Sequence, residues 1–288
     1  MSTETLVIGG VEEICCEDVE KRRKYLEQLE RLRPIDDDFM RVVYRDNIPL
    51  VEDTLRIVTG VEGLDVVSAE TQRDLKRLVG ARSVELDVMA VDTLGRWHDI
   101  EVQRGKEARP KRARYHSAAM DVEALDAGHE PEELPEQWVI FIMELDPFAE
   151  GRGTYLFERA ETETGAKLGD GTKVLYANGE YRGNDDLGSL MRDFCESDPD
   201  AMVNALLAER VRYLKRTPKG VVQMCEVFDE IRQEGVQEGI EQGIEQGDER
   251  RLIDDLHSLM ERLSLTAQEA LDALNVPEAK RSHYLTIL

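Results

Sequence analysis

The stretch "SVELDVMAVDTLGRWHDIEVQRG", residues 83–105, decides the fold because it encodes a β-hairpin with acidic residues inside both strands. Two runs of strand-forming residues, 83–91 and 97–103, flank one short turn. Successive side chains of a strand point to opposite faces, so each strand places its acids on one face. The residues of these two rows are Glu85, Asp87, Met89 and Val91 in the first strand, and Trp97, Asp99, Glu101 and Gln103 in the second.

The turn sets the register of this hairpin. If Asp92 pairs with Arg96, the loop has three residues and ends at Gly95, which supplies the left-handed conformation that such loops need. In that register Asp87 lies opposite Glu101, with the two Cβ atoms about 5 Å apart. Two carboxylates at that separation repel each other unless a cation lies between them, and oxygen ligands favour Mg²⁺ or Mn²⁺. The alternative is an ordinary hairpin whose acidic face is solvated.

Charge limits the possible partners of the chain. The net charge of −24 argues against strong sequence-independent binding of nucleic acid, which requires many Lys and Arg side chains. A DNA-binding function therefore needs a local basic patch, a metal ion or both. One patch follows the hairpin directly, in "RGKEARPKRAR" at 104–114, although a solvated helix start is the alternative. The candidate DNA-binding residues are Arg104, Lys106, Arg109, Lys111, Arg112 and Arg114.

The remaining pattern predicts an α/β protein, an α+β arrangement with a mixed sheet. Helices are expected at 17–32, at 36–59 with an interruption near Pro49, at 108–128 and from 187 onward. Strands are expected at 64–70 and 137–145 and in the two glycine-bounded segments 153–165 and 171–183. Tyr115 and His116 follow the basic patch and are expected to pack or to contact a phosphate.

The C-terminal third carries a repeat in which glycine recurs every four residues, in "EGVQEGIEQGIEQG" at 234–247. On a helix this spacing gives adjacent glycine and aliphatic stripes, which indicate either self-association or a partly helical linker. Beyond it, Thr266 and Glu269 form a capping box. The predicted division is a charged N-terminal helix at 1–33, a core at 34–216, a helical glycine-repeat linker at 217–248 and a small helical module at 249–288.

The hairpin and its surroundings resemble the PD-(D/E)XK nuclease superfamily. An Asp is followed after 13 intervening residues by Glu-x-Gln, then by a basic helix start and an apolar strand. The segments "RPIDDDFMRVVYRDN", "KRARYHSAAMD", "LPEQWVIFIMELD" and "NGEYRG" look like the PD-(D/E)XK family transposases, a group that includes recombination-promoting nucleases. The resemblance covers roughly 33–216. It implies a restriction-endonuclease-like core with a helical C-terminal extension.

The resemblance also implies site residues. Asp87 and Glu101 match the two acidic ligands of Mg²⁺ or Mn²⁺, and the main-chain carbonyl of Val102 would be a third ligand. A further acid from the first core helix would be Asp36, with Glu52 as a second candidate. Gln103 occupies the position of the motif Lys and is expected to be catalytic.

Two positions depart from the family pattern. Leu86 precedes Asp87 where the motif has Pro, and Gln103 carries no positive charge. Lys106, Arg104 or Lys111 could supply that charge from the next turn.

Two functions follow from this resemblance. The first is a metal-dependent DNA endonuclease that hydrolyses phosphodiester bonds and promotes recombination, or is related to transposases. The alternative is a non-catalytic, oligomeric, DNA-associated or regulatory protein that retains the nuclease fold, with homo-oligomers formed through the C-terminal helices. The chain has no run of about 18 apolar residues and no basic signal-peptide start, so a bacterial cytoplasmic location is expected, on the nucleoid when DNA is bound and without a membrane partner.

Overall fold

A computed structural model describes residues 19–75 and 84–288, which divide into two compact units, the first ending at Cys225 and the second comprising Glu226–Leu288. In chain order, the elements are α1 (Val19–Arg31), α2 (Asp37–Tyr44), α3 (Ile48–Thr59), β1 (Val66–Asp74), β2 (Glu85–Asp92), β3 (Trp97–Gln103), α4 (Pro110–Ala124), β4 (Gln137–Met143), β5 (Thr154–Phe157), β6 (Thr172–Asn178), α5 (Asp186–Phe194), α6 (Ala205–Arg216), α7 (Pro218–Leu263), α8 (Ala267–Ala273) and α9 (Glu278–Ile287).

The first unit is built on a six-stranded mixed sheet with the strand order β1-β2-β3-β4-β6-β5. Strands β1, β2 and β3 form an antiparallel meander. Helix α4 then carries the chain to β4, which lies parallel to β3, and β6 lies parallel to β4. The prediction of an α/β protein with a mixed sheet is confirmed.

The hairpin register agrees with the turn argument. Ala90 pairs with His98, and Val88 pairs with Ile100. The amide of Gly95 donates to the Asp92 carbonyl at 2.9 Å, and Gly95 has φ 75°, the left-handed conformation that a three-residue loop requires. The β2–β3 ladder ends at Val88 and Ile100, so the residues beyond that pair lie where the two strands separate.

Both faces of the central strands are covered. Helix α4 packs Ala113 and Met120 against Met89 and Phe141, while Val88 on the opposite face of β2 is also fully buried. Three acids of the two rows, Asp87, Asp99 and Glu101, therefore lie inside the protein, while Glu85 at the end of its row is exposed, so the alternative of a solvated acidic face is wrong for these three.

The predicted helix at 36–59 is two helices, α2 and α3, separated by residues 45–47. Pro49 lies in the first turn of α3, where its missing amide breaks no hydrogen bond of the helix. Asp36 occupies the N-cap position of α2, but its carboxylate accepts hydrogen bonds from Arg33 instead of capping the helix. Pro49 therefore belongs to the start of a second helix and does not kink a single long one.

Helix α7 has 46 residues, and the predicted boundary at 248/249 lies inside it. Along this helix Val236, Ile240 and Ile244 are each more than half exposed. In the second unit, Leu256 of α7 packs with residues of α8 and α9, and the Thr266–Glu269 capping box is present. The predicted small helical module accordingly has a core of its own.

Within residues 19–75 and 84–288, no helix is both long and apolar enough to cross a bilayer.

Candidate metal centre

The two acids singled out from the hairpin meet where β2 and β3 separate. The main-chain amide of Asp87 donates to Oε1 of Glu101 at 3.0 Å. The Asp87 carboxylate is almost fully buried and accepts two hydrogen bonds from Arg41 of α2, from Nε at 3.2 Å and Nη2 at 3.0 Å. The hairpin therefore brings Asp87 next to Glu101, and α2 supplies the cation of Arg41 to Asp87.

Glu101 is fully buried, and a second arginine neutralises it. Nη2 of Arg112, in the first turn of α4, donates to Oε2 of Glu101. Nε of Arg112 donates to Nε2 of His116 at 3.3 Å, one helical turn further on. Because Nε2 accepts this bond, the ring proton of neutral His116 is on Nδ1. One arginine side chain thus joins the acid to the imidazole.

Asp99, Glu101 and His116 form a second group of buried ligand atoms beside the predicted ones. Nδ1 of His116 lies 2.9 Å from Oδ2 of Asp99 and 3.7 Å from Oε1 of Glu101. One ligand atom from each of the three residues lies within 4.8 Å of the others, and all three residues are buried. The resemblance did not point to Asp99 or His116 as ligands. Strand alternation had already placed Asp99 on the face of Glu101, but no local signal brings His116 to it.

Two buried oxygen atoms beside Glu101 have no hydrogen-bond donor in the part of the chain that the structure describes: Oδ1 of Asp99 and Oε1 of Gln103. The other side of the Gln103 amide is engaged, since Nε2 donates to the Glu107 carbonyl at 2.7 Å. Buried acceptors normally have partners, so these atoms need an explanation. A cation bound at the Asp99 and Glu101 carboxylates would satisfy Oδ1 of Asp99.

Burial makes the carboxylates of this centre hard to ionise. It raises the pKa of Asp87 to about 6, with the charge of Asp37 adding to the effect and Arg41 opposing it. Burial also raises the pKa values of Asp99 and Glu101 well above their usual range. A nearby cation lowers such pKa values, because it favours the ionised form. The electrostatic environment of these three acids therefore favours the binding of a cation.

The two additional acids predicted from the first core helices lie in other contacts. Asp36 accepts from Arg33, and Glu52 accepts from the Val66 amide at 2.8 Å, which fixes the start of β1. No hydrogen bond joins either acid to Asp87 or Glu101 among the described residues. The acid of this segment that acts on the centre is Asp37, which lies 3.3 Å from Arg41 and raises the Asp87 pKa.

The basic patch divides into paired and unpaired cations. Arg104 lies 3.6 Å from both Asp36 and Glu144, Arg109 lies 3.7 Å from Glu107, and Arg112 binds Glu101. Three exposed cations of the patch form no ion pair within the two described stretches of chain: Lys106, Lys111 and Arg114. These three side chains are available to an external anion.

The donor set fits a divalent metal ion. Carboxylate oxygens and an imidazole nitrogen are common ligands, and Oδ1 of Asp99 has no donor among the residues that the structure describes. Val102, whose carbonyl the resemblance adds, lies in β3 opposite Ile142 of β4. Asp87, Glu101 and Val102 would hold the ion that the resemblance implies, while Asp99 and His116 offer further ligands beside it.

Comparison with known proteins identifies no family for this arrangement: no family model, no curated protein and no solved structure matches the chain.

Proposed function

We propose that this protein is a metal-dependent DNA endonuclease that hydrolyses phosphodiester bonds, promoting recombination or related to transposases. The observation that carries the proposal is the hydrogen bond from the Asp87 amide to the Glu101 carboxylate. It joins two buried acids at one end of the sheet, beside the start of a basic helix. The proposed cofactor is Mg²⁺ or Mn²⁺, on Asp87, Glu101 and the Val102 carbonyl.

The exposed cations of α4 and the preceding loop would hold the DNA. Lys106, Lys111 and Arg114 can bind phosphates that flank the scissile bond, which positions the backbone without reading its sequence. An open groove of about 600 Å³ adjoins Asp37 and is lined in part by Arg31, Arg33 and Arg104. Acids of the same lining, Asp36, Asp37 and Asp38 among them, balance these arginines, so the groove does not offset an overall charge that repels DNA.

Within the centre, the chain's own residues set the charge and the geometry. The metal ion, when bound, lowers the pKa of its water and neutralises charge on the scissile phosphate. The Asp87 amide fixes the Glu101 carboxylate, and Arg41 fixes that of Asp87. Gln103 contributes no charge, which leaves Arg41 and Arg112 as the guanidinium groups in direct contact with the acids.

Plasmid nicking by the purified full-length protein in Mg²⁺ or Mn²⁺ tests the proposal. Asp87→Asn and Glu101→Gln are expected to abolish cutting, because each removes a ligand charge while keeping a similar shape. Glu70→Gln, an exposed acid on β1, serves as the matched control and should cut like the wild type. Cutting by both site variants at the wild-type rate would refute the site, and no cutting by any form under varied metals would refute the function.

One observation favours the alternative of a non-catalytic oligomer. The side chains of Val236, Ile240 and Ile244 form an exposed aliphatic stripe along α7. In an oligomer this stripe would pack against a second copy of the helix, as the repeat in the sequence indicates. Gln103 at the position of the motif Lys is consistent with a loss of catalysis.

Light scattering on the full chain tests this alternative. Ile240→Glu should lower the measured mass to that of a single chain, while Gln246→Glu adds the same charge outside the stripe and should leave the mass unchanged. A wild-type mass equal to one chain at all concentrations would remove the alternative.

A further inference from the structure

We infer that Asp99, Glu101 and His116 form a subsite for a divalent transition-metal ion, and that Arg112 leaves His116 when the ion binds. The inference deepens the proposed function. The role of this ion in catalysis rests on that function. It adds two ligands, Asp99 and His116, to the pair derived from the hairpin.

The spacing of the ligand atoms suits one ion. Zinc and similar ions bind nitrogen and oxygen at about 2.1 Å, so neighbouring ligand atoms lie about 3 Å apart and opposite ones about 4 Å apart. Nδ1 of His116 is 2.9 Å from Oδ2 of Asp99 and 3.7 Å from Oε1 of Glu101. Both distances from Nδ1 fall in that range, and the three ligand atoms all lie within 4.8 Å of one another.

A buried atom without a partner points to the same ion. Asp99 is fully buried, and among the described residues Oδ1 of its carboxylate has no donor. A structural Asp–His pair would leave this oxygen unsatisfied, at a cost of about 1–3 kcal/mol. A metal ion on the Asp99 carboxylate would satisfy it, which gives the buried acid a function beyond orienting His116.

The imidazole selects the class of metal. Mg²⁺ and Ca²⁺ bind oxygen ligands almost exclusively, whereas Mn²⁺, Co²⁺ and Zn²⁺ accept an imidazole nitrogen together with carboxylates. A site that includes Nδ1 of His116 therefore favours a transition-metal ion over Mg²⁺. A site formed by Asp87 and Glu101 alone has no imidazole and would not show this preference.

Arg112 binds two of the ligand side chains through their other atoms, Oε2 of Glu101 and Nε2 of His116, whereas the ion would bind Oε1 and Nδ1. Its guanidinium contacts Glu101 through Nη2 and His116 through Nε, and about a third of the side chain is exposed. Metal binding needs the Nδ1 lone pair, so the ring proton moves to Nε2, which then no longer accepts from Arg112. The Nε group released from His116 lies on the basic helix, where it can donate to a phosphate.

Electron paramagnetic resonance of Mn²⁺ bound to the full-length, metal-stripped protein tests the inference. The wild type is expected to bind Mn²⁺ with a nitrogen hyperfine coupling from the imidazole in pulsed spectra. His116→Gln should lose that coupling and weaken binding by about 100-fold. Asp87→Asn should keep it, and His129→Gln, which changes an exposed histidine, should behave like the wild type. Thermal melts of each variant establish that it is folded.

Each contrary outcome is informative. Mn²⁺ bound without nitrogen coupling, and lost in Asp87→Asn, would place the ion on Asp87 and Glu101 alone and overturn the inference while leaving the proposed function intact. Coupling that persists in His116→Gln would also overturn it. Mn²⁺ bound as inferred to a protein that never cuts DNA would preserve the subsite and refute the nuclease. No binding of Mn²⁺ would refute both.

Discussion

The main-chain amide of Asp87 donates to the side chain of Glu101, at the first position where the β2–β3 ladder has ended. A side-chain carboxylate thus bridges the two strands where their main-chain pairing has ended. The bond holds the Glu101 side chain between two strands that are separating. Any change in the protonation of these acids therefore acts on both the hairpin and the proposed metal ligands.

Cleavage is expected to depend on pH through Asp87. Burial raises the pKa of Asp87 to about 6, so below pH 6 the carboxyl is neutral and a poor metal ligand. With Mg²⁺ below saturation, the rate should rise by up to about tenfold per pH unit below pH 6 and then level off. Single-turnover cleavage from pH 5 to pH 8 measures this profile. A rate that falls as the pH rises would contradict the assignment of Asp87 as a ligand.

Replacing Asp99 by Asn should stabilise the metal-free protein at alkaline pH. The pKa of Asp99 is raised well above its unfolded value, so the ionised acid destabilises the native state as the pH rises through the folded pKa. Asp99→Asn removes that loss and should increase the free energy of unfolding by about 1–3 kcal/mol at pH 8. At pH 4 the acid is protonated in the folded protein, and the gain should disappear.

Urea unfolding in the presence of a chelator measures this difference at the two pH values. A stabilisation of equal size at pH 4 and pH 8 would show that packing, not charge, is responsible.

The exposed cations of α4 should account for part of the salt dependence of DNA binding. Each phosphate contact contributes about 0.9 to the slope of log K against log salt concentration. Lys111→Gln combined with Arg114→Gln should therefore lower the slope by about 2. Arg250→Gln combined with Lys280→Gln removes the same charge from the second unit and is the matched control. Titrations at several salt concentrations give both slopes, and equal reductions would indicate a general charge effect.

Replacing Arg112 by Gln should tighten metal binding and slow cleavage. The guanidinium competes with the ion for His116 by holding the ring proton on Nδ1, so its removal should improve Mn²⁺ affinity by about tenfold, which corresponds to about 1.4 kcal/mol. The same change removes a cation from the proposed phosphate-binding surface. Calorimetric titration of Mn²⁺ together with single-turnover cleavage measures both effects. Weaker Mn²⁺ binding in this variant would mean that Arg112 supports the ligands instead of competing with the ion.

Local rules predicted the hairpin well. Gly95 and strand alternation are sufficient for the register, because both act over a few neighbouring residues. The pairing of Asp99 with His116 depends on how α4 packs across the sheet, which no short-range pattern encodes. Glu52 shows the opposite error. Its position in the sequence fits a site acid, but in the folded protein its carboxylate accepts a hydrogen bond from the first amide of β1.

The separation into α2 and α3 has a similar cause. Pro49 signalled an interruption, but the chain turns before it, at Asp46, whose φ of 54° is left-handed. That turn leaves α2 as a short, separate helix, from which Arg41 reaches Asp87. A single long helix was the simpler expectation from apolar spacing alone, and it would not have suggested Arg41 as a partner of the hairpin acid.

The length of the hairpin loop sets the register of the two strands, and so the positions of the acids at the other end of the hairpin. Leu94 is three-quarters exposed, and its substitution should cost little. A change in the number of loop residues should cost far more, because a shift of one position turns every side chain of a strand to the other face. One inserted residue after Leu94 could therefore separate Asp87 from Glu101 without altering any acid or base. Length changes at this distant, solvent-facing point offer evolution, or an experimenter, a way to inactivate the site while preserving its full set of chemical groups.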